Sequence, residues 1–281
     1  MAEKTRRRPF DMAKLTSVPY LVWMLLFTIV PLGMVIWYAF TAYPDTNFTL
    51  SNFAGVLKYG KTFWKSIYLS LIATVVCLIV GFPMGFIMSR MSERAQRTMQ
   101  MLIMLPMWMS FLLRTYAWMT LLENEGLINK FFGLFGIGPF QMINTQGAIV
   151  LGMVYNYLPY MILPLYSVMV KIDQSVIEAA QDLGADGFHV LLRVILTLAV
   201  PGIVTGITMV FVPSVSTFII SRMLGGGSNL LIGDLIEQQF LGSVYNPGVG
   251  SAMSLILMVM ILLIMGVINR FDSDEMEGML V

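Results

Sequence analysis

The 281-residue chain is 57% hydrophobic and only 12% charged, about half the charged share of an average soluble domain. A soluble fold of this size has nowhere to hide so much apolar surface, so a lipid-facing protein is expected. The net charge of +1 excludes a bulk pull towards nucleic acid. Cys77 and His189 are single residues of their kind, which excludes an intrachain disulfide and a cysteine- or histidine-rich metal cluster.

A bilayer core needs about 20 consecutive apolar residues as helix. In chain order the candidate spans are 18–40, 66–89, 99–122, 147–170, 197–220 and 251–269. They predict an all-α polytopic membrane protein with six transmembrane helices. The first span follows Arg6, Arg7 and Arg8 and is too long for a cleavable signal core. Residues 1–17 then read as a cytoplasmic tail, 18–270 as the transmembrane domain with its core at 66–270, and 271–281 as a second cytoplasmic tail. Pro31, Pro83, Pro106, Pro159, Pro164, Pro201 and Pro213 fall inside spans; such prolines suit kinked helices whose neighbours re-satisfy freed carbonyls.

Lys and Arg near the span ends are asymmetric. Lys4, Arg6, Arg7, Arg8, Lys14, Arg90, Arg94, Arg97, Lys171, Arg193 and Arg270 share one side, against Lys58, Lys61, Lys65, Lys130 and Arg222 on the other. The positive-inside bias puts both termini in the cytoplasm. Outer segment 41–65 carries turn residues Pro44, Asp45, Asn47 and Asn52. Segment 221–250 opens on Gly225, Gly226 and Gly227 and predicts a short re-entrant or interfacial helix. No Lys-Ser/Thr follows that glycine run, so it does not read as a phosphate loop.

The cytoplasmic segment 171–196 is the most informative. Val176, Ile177, Ala180 and Leu183 share a helical stripe, with Glu178, Gln181 and Asp182 on the other face. After Gly184 the stripe resumes with Phe188, Leu191, Leu192 and Ile195, opposite His189 and Arg193. Two short amphipathic helices joined at a glycine turn follow, with the apolar stripe expected under the bundle and the polar rim facing the cytosol.

Glu178-Ala179-Ala180, then three residues to Gly184, then nine to Val194 and Leu196, resembles the EAA loop of binding-protein-dependent ABC importer permeases. The motif usually continues into proline where this chain has Thr197. Leu105-Pro106 through Tyr116, Leu158-Pro159-Tyr160 through Tyr166, and Leu230-Leu231-Ile232-Gly233 with Gln239-Phe240-Leu241 are similar to the spermidine/putrescine branch. The resemblance covers about residues 18–270 and implies the type I ABC importer permease fold in a bacterial inner membrane. By resemblance, Glu178 makes a charged contact with a separate ATPase, Ala179 and Ala180 permit close approach, and Gly184 supplies the turn. ATP and magnesium belong to two partner ATPase subunits, and this chain holds no cofactor or metal. A second related permease, as a heterodimer, and an extracellular or periplasmic binding protein complete the implied assembly.

A polyamine site should offer carboxylates for the ammonium ends and aromatic faces for the methylenes. Tyr155, Asn156, Tyr157 and Phe218 are the path candidates within spans. Asp234 and Glu237, with Glu123 and Glu125, are the outer carboxylates. Arg114 is the one charge well inside a span. Either it caps carbonyls or snorkels outward, or it faces an anionic substrate. Iron(III), thiamine or a phosphonate are the alternative cargoes. A proton- or sodium-coupled secondary transporter is the alternative of another class; it predicts ionisable residues deep in the spans and an internal repeat. An intramembrane enzyme would need a paired catalytic set, which one histidine in a cytoplasmic loop does not supply.

Overall fold

Inside a bilayer every backbone N–H and C=O must find its partner within the protein, and helices achieve this locally. The computed structural model describes residues 12–45, 47–242 and 244–278. Lys4, Arg6, Arg7 and Arg8, which anchor the charge bias, therefore lie outside the described residues. Among the described residues the fold is all-helical, apart from an isolated antiparallel bridge between Thr41 and Phe48.

Helix α1 (residues 12–39) runs through Met12–Met24, a π turn at Leu25–Ile29 and Val30–Ala39. A short α2 (Ser51–Leu57) precedes α3 (Gly60–Ser89). Then come α4 (Glu93–Met104), a 3-10 turn at Leu105–Trp108, α5 (Phe111–Leu122) and α6 (Leu127–Gly133). The long α7 (Gln146–Met169) leads into α8 (Gln174–Asp182) and α9 (Gly187–Leu198). The chain ends with α10 (Val200–Ser216), α11 (Ile219–Gly225), α12 (Ile232–Leu241) and α13 (Pro247–Gly278).

Four stretches are long and apolar enough to cross a membrane unbroken: Val18–Ala39, Gly60–Ser89, Gln146–Met169 and Pro247–Ile268. They match four of the six expected spans. The other two are interrupted. The stretch 99–122 breaks at Leu105–Trp108, where Pro106 cannot donate to a helix and Ser110 precedes α5. The stretch 197–220 bends by 71° between α9 and α10, where Pro201 opens α10, and stops again after Ser216. The predicted short helix in 221–250 is α12.

Three helices meet closely at the centre. Gly85 on α3 and Gly202 on α10 put backbone close against the α7 backbone, while Gly81 and Gly206 make room for the Met161 side chain of α7. A Cβ at Gly202 would stand 3.1 Å from the Pro164 carbonyl oxygen, and one at Gly85 would stand 3.3 Å from the Tyr166 amide nitrogen. Small residues four apart permit such approach where lipid offers no competing hydrophobic drive. Leu69, Ala73, Cys77, Met153, Met161 and Leu165 fill the buried core around this contact. A second core joins the C-terminal end of α1 with α2, α12 and α13 through Ala39, Val56, Leu235 and Met253. Most of α1 remains apolar and exposed, as a lipid- or protein-facing helix must be.

Candidate functional site

The glycine-turn loop is built by caps at both ends. Asp173 starts α8, its Oδ1 accepting from the Ser175 amide at 3.0 Å. Gly184 ends it at φ +88°, a conformation an L side chain resists. The Gly184 amide donates to Gln181 O at 2.8 Å and the Ala185 amide to Ala180 O at 3.0 Å, the bond pair of a Schellman stop. Asp186 then starts α9, its Oδ1 accepting from the His189 amide at 2.8 Å and lying 2.7 Å from His189 Nδ1. Both carboxyls are held below the usual aspartate range. The Ser175 backbone amide does this first for Asp173, and the His189 backbone amide first for Asp186. Two full sets of caps make a stiff corner of an otherwise exposed segment.

Glu178, Ala179 and Gly184 are exposed on this corner, while Ala180 is half-buried against the core. Ile177 and Ile195 are buried, as their stripe predicts. Leu183 and Phe188 depart from that expectation: they project outward, 90% and 66% exposed. The helical period alone put them under the bundle, but these two side chains next to the Gly184 turn face away from it, while Ile177, Val190 and Ile195 on either side stay in the core. Leu183 lines a cavity of about 480 Å³ together with Ala180, Gly184, Asp186, His189, Arg193 and Val194. The corner is tied to α3 by Arg90, whose Nη1 donates to Gln174 Oε1 at 3.3 Å. Thr197, at the position where proline is usual, stays helical, its hydroxyl donating to Arg193 O at 2.9 Å, and the bend falls on Ala199–Pro201 instead.

Away from this corner the path candidates occupy separate places. Tyr155 makes an edge-on pair with Trp118, ring centroids 5.3 Å apart. Asn156 is buried, its Nδ2 donating to Gly152 O at 2.8 Å and its Oδ1 unpartnered. Tyr157 donates to Pro213 O at 3.4 Å. Phe218 and Glu237 line a mostly apolar cavity of about 510 Å³ with Ser216, Ser254, Leu257 and Met258.

The carboxylates expected on the outer face are not equivalent. Asp234, expected to meet a cation on the outer face, is 0% exposed. Its Oδ2 accepts from the Leu231 amide at 2.8 Å and from the Ser221 hydroxyl, so it caps α12 and ties that helix to α11. A buried carboxylate with these donors is a structural anchor. Glu237 is half-buried and paired with both Nη atoms of Arg222. Glu123 and Glu125 are exposed and line a polar cavity of about 470 Å³ with Asn124 and Asn144. Arg114 is buried beside the Phe111 ring, 5.9 Å from its centroid, and among the described residues its Nε and Nη1 have no hydrogen-bond partner.

Residues 81–274 match the family described as binding-protein-dependent transport system inner membrane component. The spermidine/putrescine transport system permease protein PotB of Haemophilus influenzae is 36% identical over 269 residues, covering 92% of this chain and 94% of its own length. The protein of the same name from Escherichia coli is 33% identical over 267 residues, covering 91% and 97%. Among solved structures, a chain of a bacterial alginate ABC transporter in complex with an alginate pentasaccharide-bound periplasmic protein superposes with a TM-score of 0.74 at 17% identity, covering 92% of this chain and 93% of that one.

Proposed function

The chain belongs to the binding-protein-dependent transport system inner membrane components, and from that premise we propose that it is the membrane-spanning permease subunit of an ATP-driven importer of polyamines. The observation that carries the cargo is the 36% identity, across nearly the whole of both chains, to a spermidine/putrescine permease. The observation that supports the drive is the capped, outward-facing corner at Gly184.

In this reading the chain crosses the inner membrane six times, four crossings unbroken and two interrupted, at 99–122 and 197–220. The positive-inside bias places both termini and the Gly184 corner in the cytoplasm. Glu178, Ala179, Ala180 and Gly184 dock in a cleft of a separate ATPase subunit, with Leu183 and Phe188 as apolar anchors. A short helix capped at both ends transmits a push, whereas an uncapped loop would absorb it. ATP and magnesium bind in the two ATPase subunits. A second related permease forms the other half of the path as a heterodimer, and an extracellular or periplasmic binding protein delivers the cargo. Tyr155, Asn156, Tyr157, Phe218 and Glu237 contribute to the path, while Asp234 holds the α11–α12 unit that carries Glu237.

Uptake of labelled spermidine and putrescine in cells lacking this chain, with and without its restoration, tests the cargo. Restoration should recover uptake of at least one of the two. Unchanged uptake of both in the deletion strain would move the assignment to iron(III), thiamine or a phosphonate.

A further inference from the structure

From Gly126 to Thr145, between α5 and α7, the chain carries a single charge, Lys130, and no carboxylate. Within this segment α6 sorts its residues by helical period. Ile128 packs on the main core and Asn129 is buried. Leu127, Phe131, Leu134 and Phe135, spaced i, i+4, i+7 and i+8, are instead exposed. Leu134 is 82% and Phe135 67% exposed, and the Phe131 and Phe135 rings pair edge-on with centroids 5.3 Å apart. A contiguous apolar face of this kind is rare on a surface that meets only water.

The face is held in place from within. Gly136, at φ +71°, ends the helix: its amide donates to Gly133 O at 3.1 Å and the Ile137 amide donates to Phe132 O at 3.1 Å. Asn129 clasps the returning chain, its Oδ1 accepting from the Phe140 amide and its Nδ2 donating to Phe140 O, both at 2.9 Å. The same Nδ2 donates to Glu123 O at 3.2 Å, and the Gly126 amide donates to that carbonyl at 2.8 Å. Helix α6 is thereby folded onto the end of α5. On the other side the Thr145 hydroxyl caps α7, accepting from the Ala148 amide at 3.1 Å, and the Asn144 amide donates to Leu224 O at 2.8 Å. Both ends of the segment are fastened where two apolar helices meet it.

An apolar face fixed at the ends of spans sits at the level where hydrocarbon gives way to headgroups. A delivery protein that departs after each cycle would return these rings to water, whereas lipid covers them throughout. The lone cation on the segment suits a phosphate headgroup, its stem lying along apolar surface. We propose that α6 lies flat in the membrane interface, its Leu127, Phe131, Leu134 and Phe135 face in the acyl boundary and Lys130 beside the lipid phosphates. Glu123 and Glu125, with their polar cavity, stay on the water side. The helix thus sets the depth of the α5–α7 connection. This inference is independent of the cargo and rests only on α5 and α7 belonging to membrane crossings.

The test uses the complete importer, this chain with its ATPase and partner permease, in nanodiscs of phosphatidylethanolamine and phosphatidylglycerol. Nitroxide labels are placed singly at Leu134→Cys and Phe135→Cys in a Cys77→Ser background. Their collisions with oxygen, which dissolves in lipid, are compared with collisions with a water-soluble nickel chelate. Both labels should favour oxygen several-fold and report a depth of about 5–10 Å, while a Glu125→Cys label should favour nickel. Phe27→Cys, exposed on the apolar stretch Val18–Ala39, gives the lipid reference. Should the cysteine variants not assemble, Phe135→Trp keeps an aromatic ring, and its added fluorescence should be quenched by lipids brominated high on the acyl chain. Labels on α6 that favour nickel while Phe27→Cys favours oxygen, or an added tryptophan that brominated lipid leaves unquenched, would overturn the inference. So would labels shielded from both reagents, as a covering permease would make them, or labels that change when binding protein is added. A Phe27→Cys label that also favours nickel would remove the membrane placement itself, and this inference with it.

Discussion

Gly184 shows how much one residue decides. Its φ of +88° and the open space around it mean that any side chain there meets only backbone strain, roughly 1–2 kcal/mol for an L residue. Proline is worse, because its ring locks φ near about −65° and removes the N–H that donates to Gln181 O. Gly184→Pro should therefore misdirect the corner while leaving the spans intact. We expect ATP hydrolysis by the assembled importer to persist and uptake to fall about tenfold or more, as a loss of about 1.4 kcal/mol in docking would give; normal uptake would refute the role. Asp186 provides a pH readout of the same corner. Its carboxyl is held low by the His189 amide, so the cap is fully present above the unfolded aspartate value and is lost as pH falls through the lowered one. Protection of the His189 amide, its exchange relative to the intrinsic rate, should be lost in wild type only below the ordinary aspartate range. In Asp186→Asn, which caps without titrating, exchange should show no such step; an identical step in both would sink this explanation.

At the scale of elements, the contact of α3, α7 and α10 rests on glycines where backbones touch. Gly202→Leu must push a side chain into the Pro164 carbonyl and Leu165 Cα, an overpacking of about 1–3 kcal/mol. Its thermal midpoint in detergent should fall, while Gly266→Leu on α13, where nothing stands within 4 Å, should leave it unchanged. Equal midpoints would mean that the three helices yield more than their spacing implies. The spans themselves were legible, because an apolar run of twenty residues has few other uses. The breaks were half legible: Pro106 and Pro201 mark two, but the stop after Ser216 lies three residues beyond Pro213 and has no sequence signal. Asp234 was misread for a similar reason. Its capping role on α12 is usually announced by Ser or Thr three residues earlier, and here that residue is Leu231. Leu183 and Phe188 were misread because a helical period says which residues share a face, not which way the face turns after a glycine.

For the whole molecule, the fold supplies a helical bundle with one capped, exposed corner at Gly184, which the proposed reading places in the cytoplasm. The partners that would pull on that corner and line the rest of the path are separate chains, so nothing in this sequence could place them. Cross-linking measures the central claim most directly. In a Cys77→Ser background, which removes the one native cysteine, Leu183→Cys sits on the most exposed apolar point of the corner. With the ATPase subunit co-assembled and carrying single cysteines along its membrane-facing cleft, the account predicts an efficient disulfide cross-link between Leu183→Cys and the cleft from the cytosolic side, its yield changing when ATP is added. Labelling of Leu183→Cys by an impermeant reagent from outside the cell, with no cross-link to the ATPase in any nucleotide state, would contradict it.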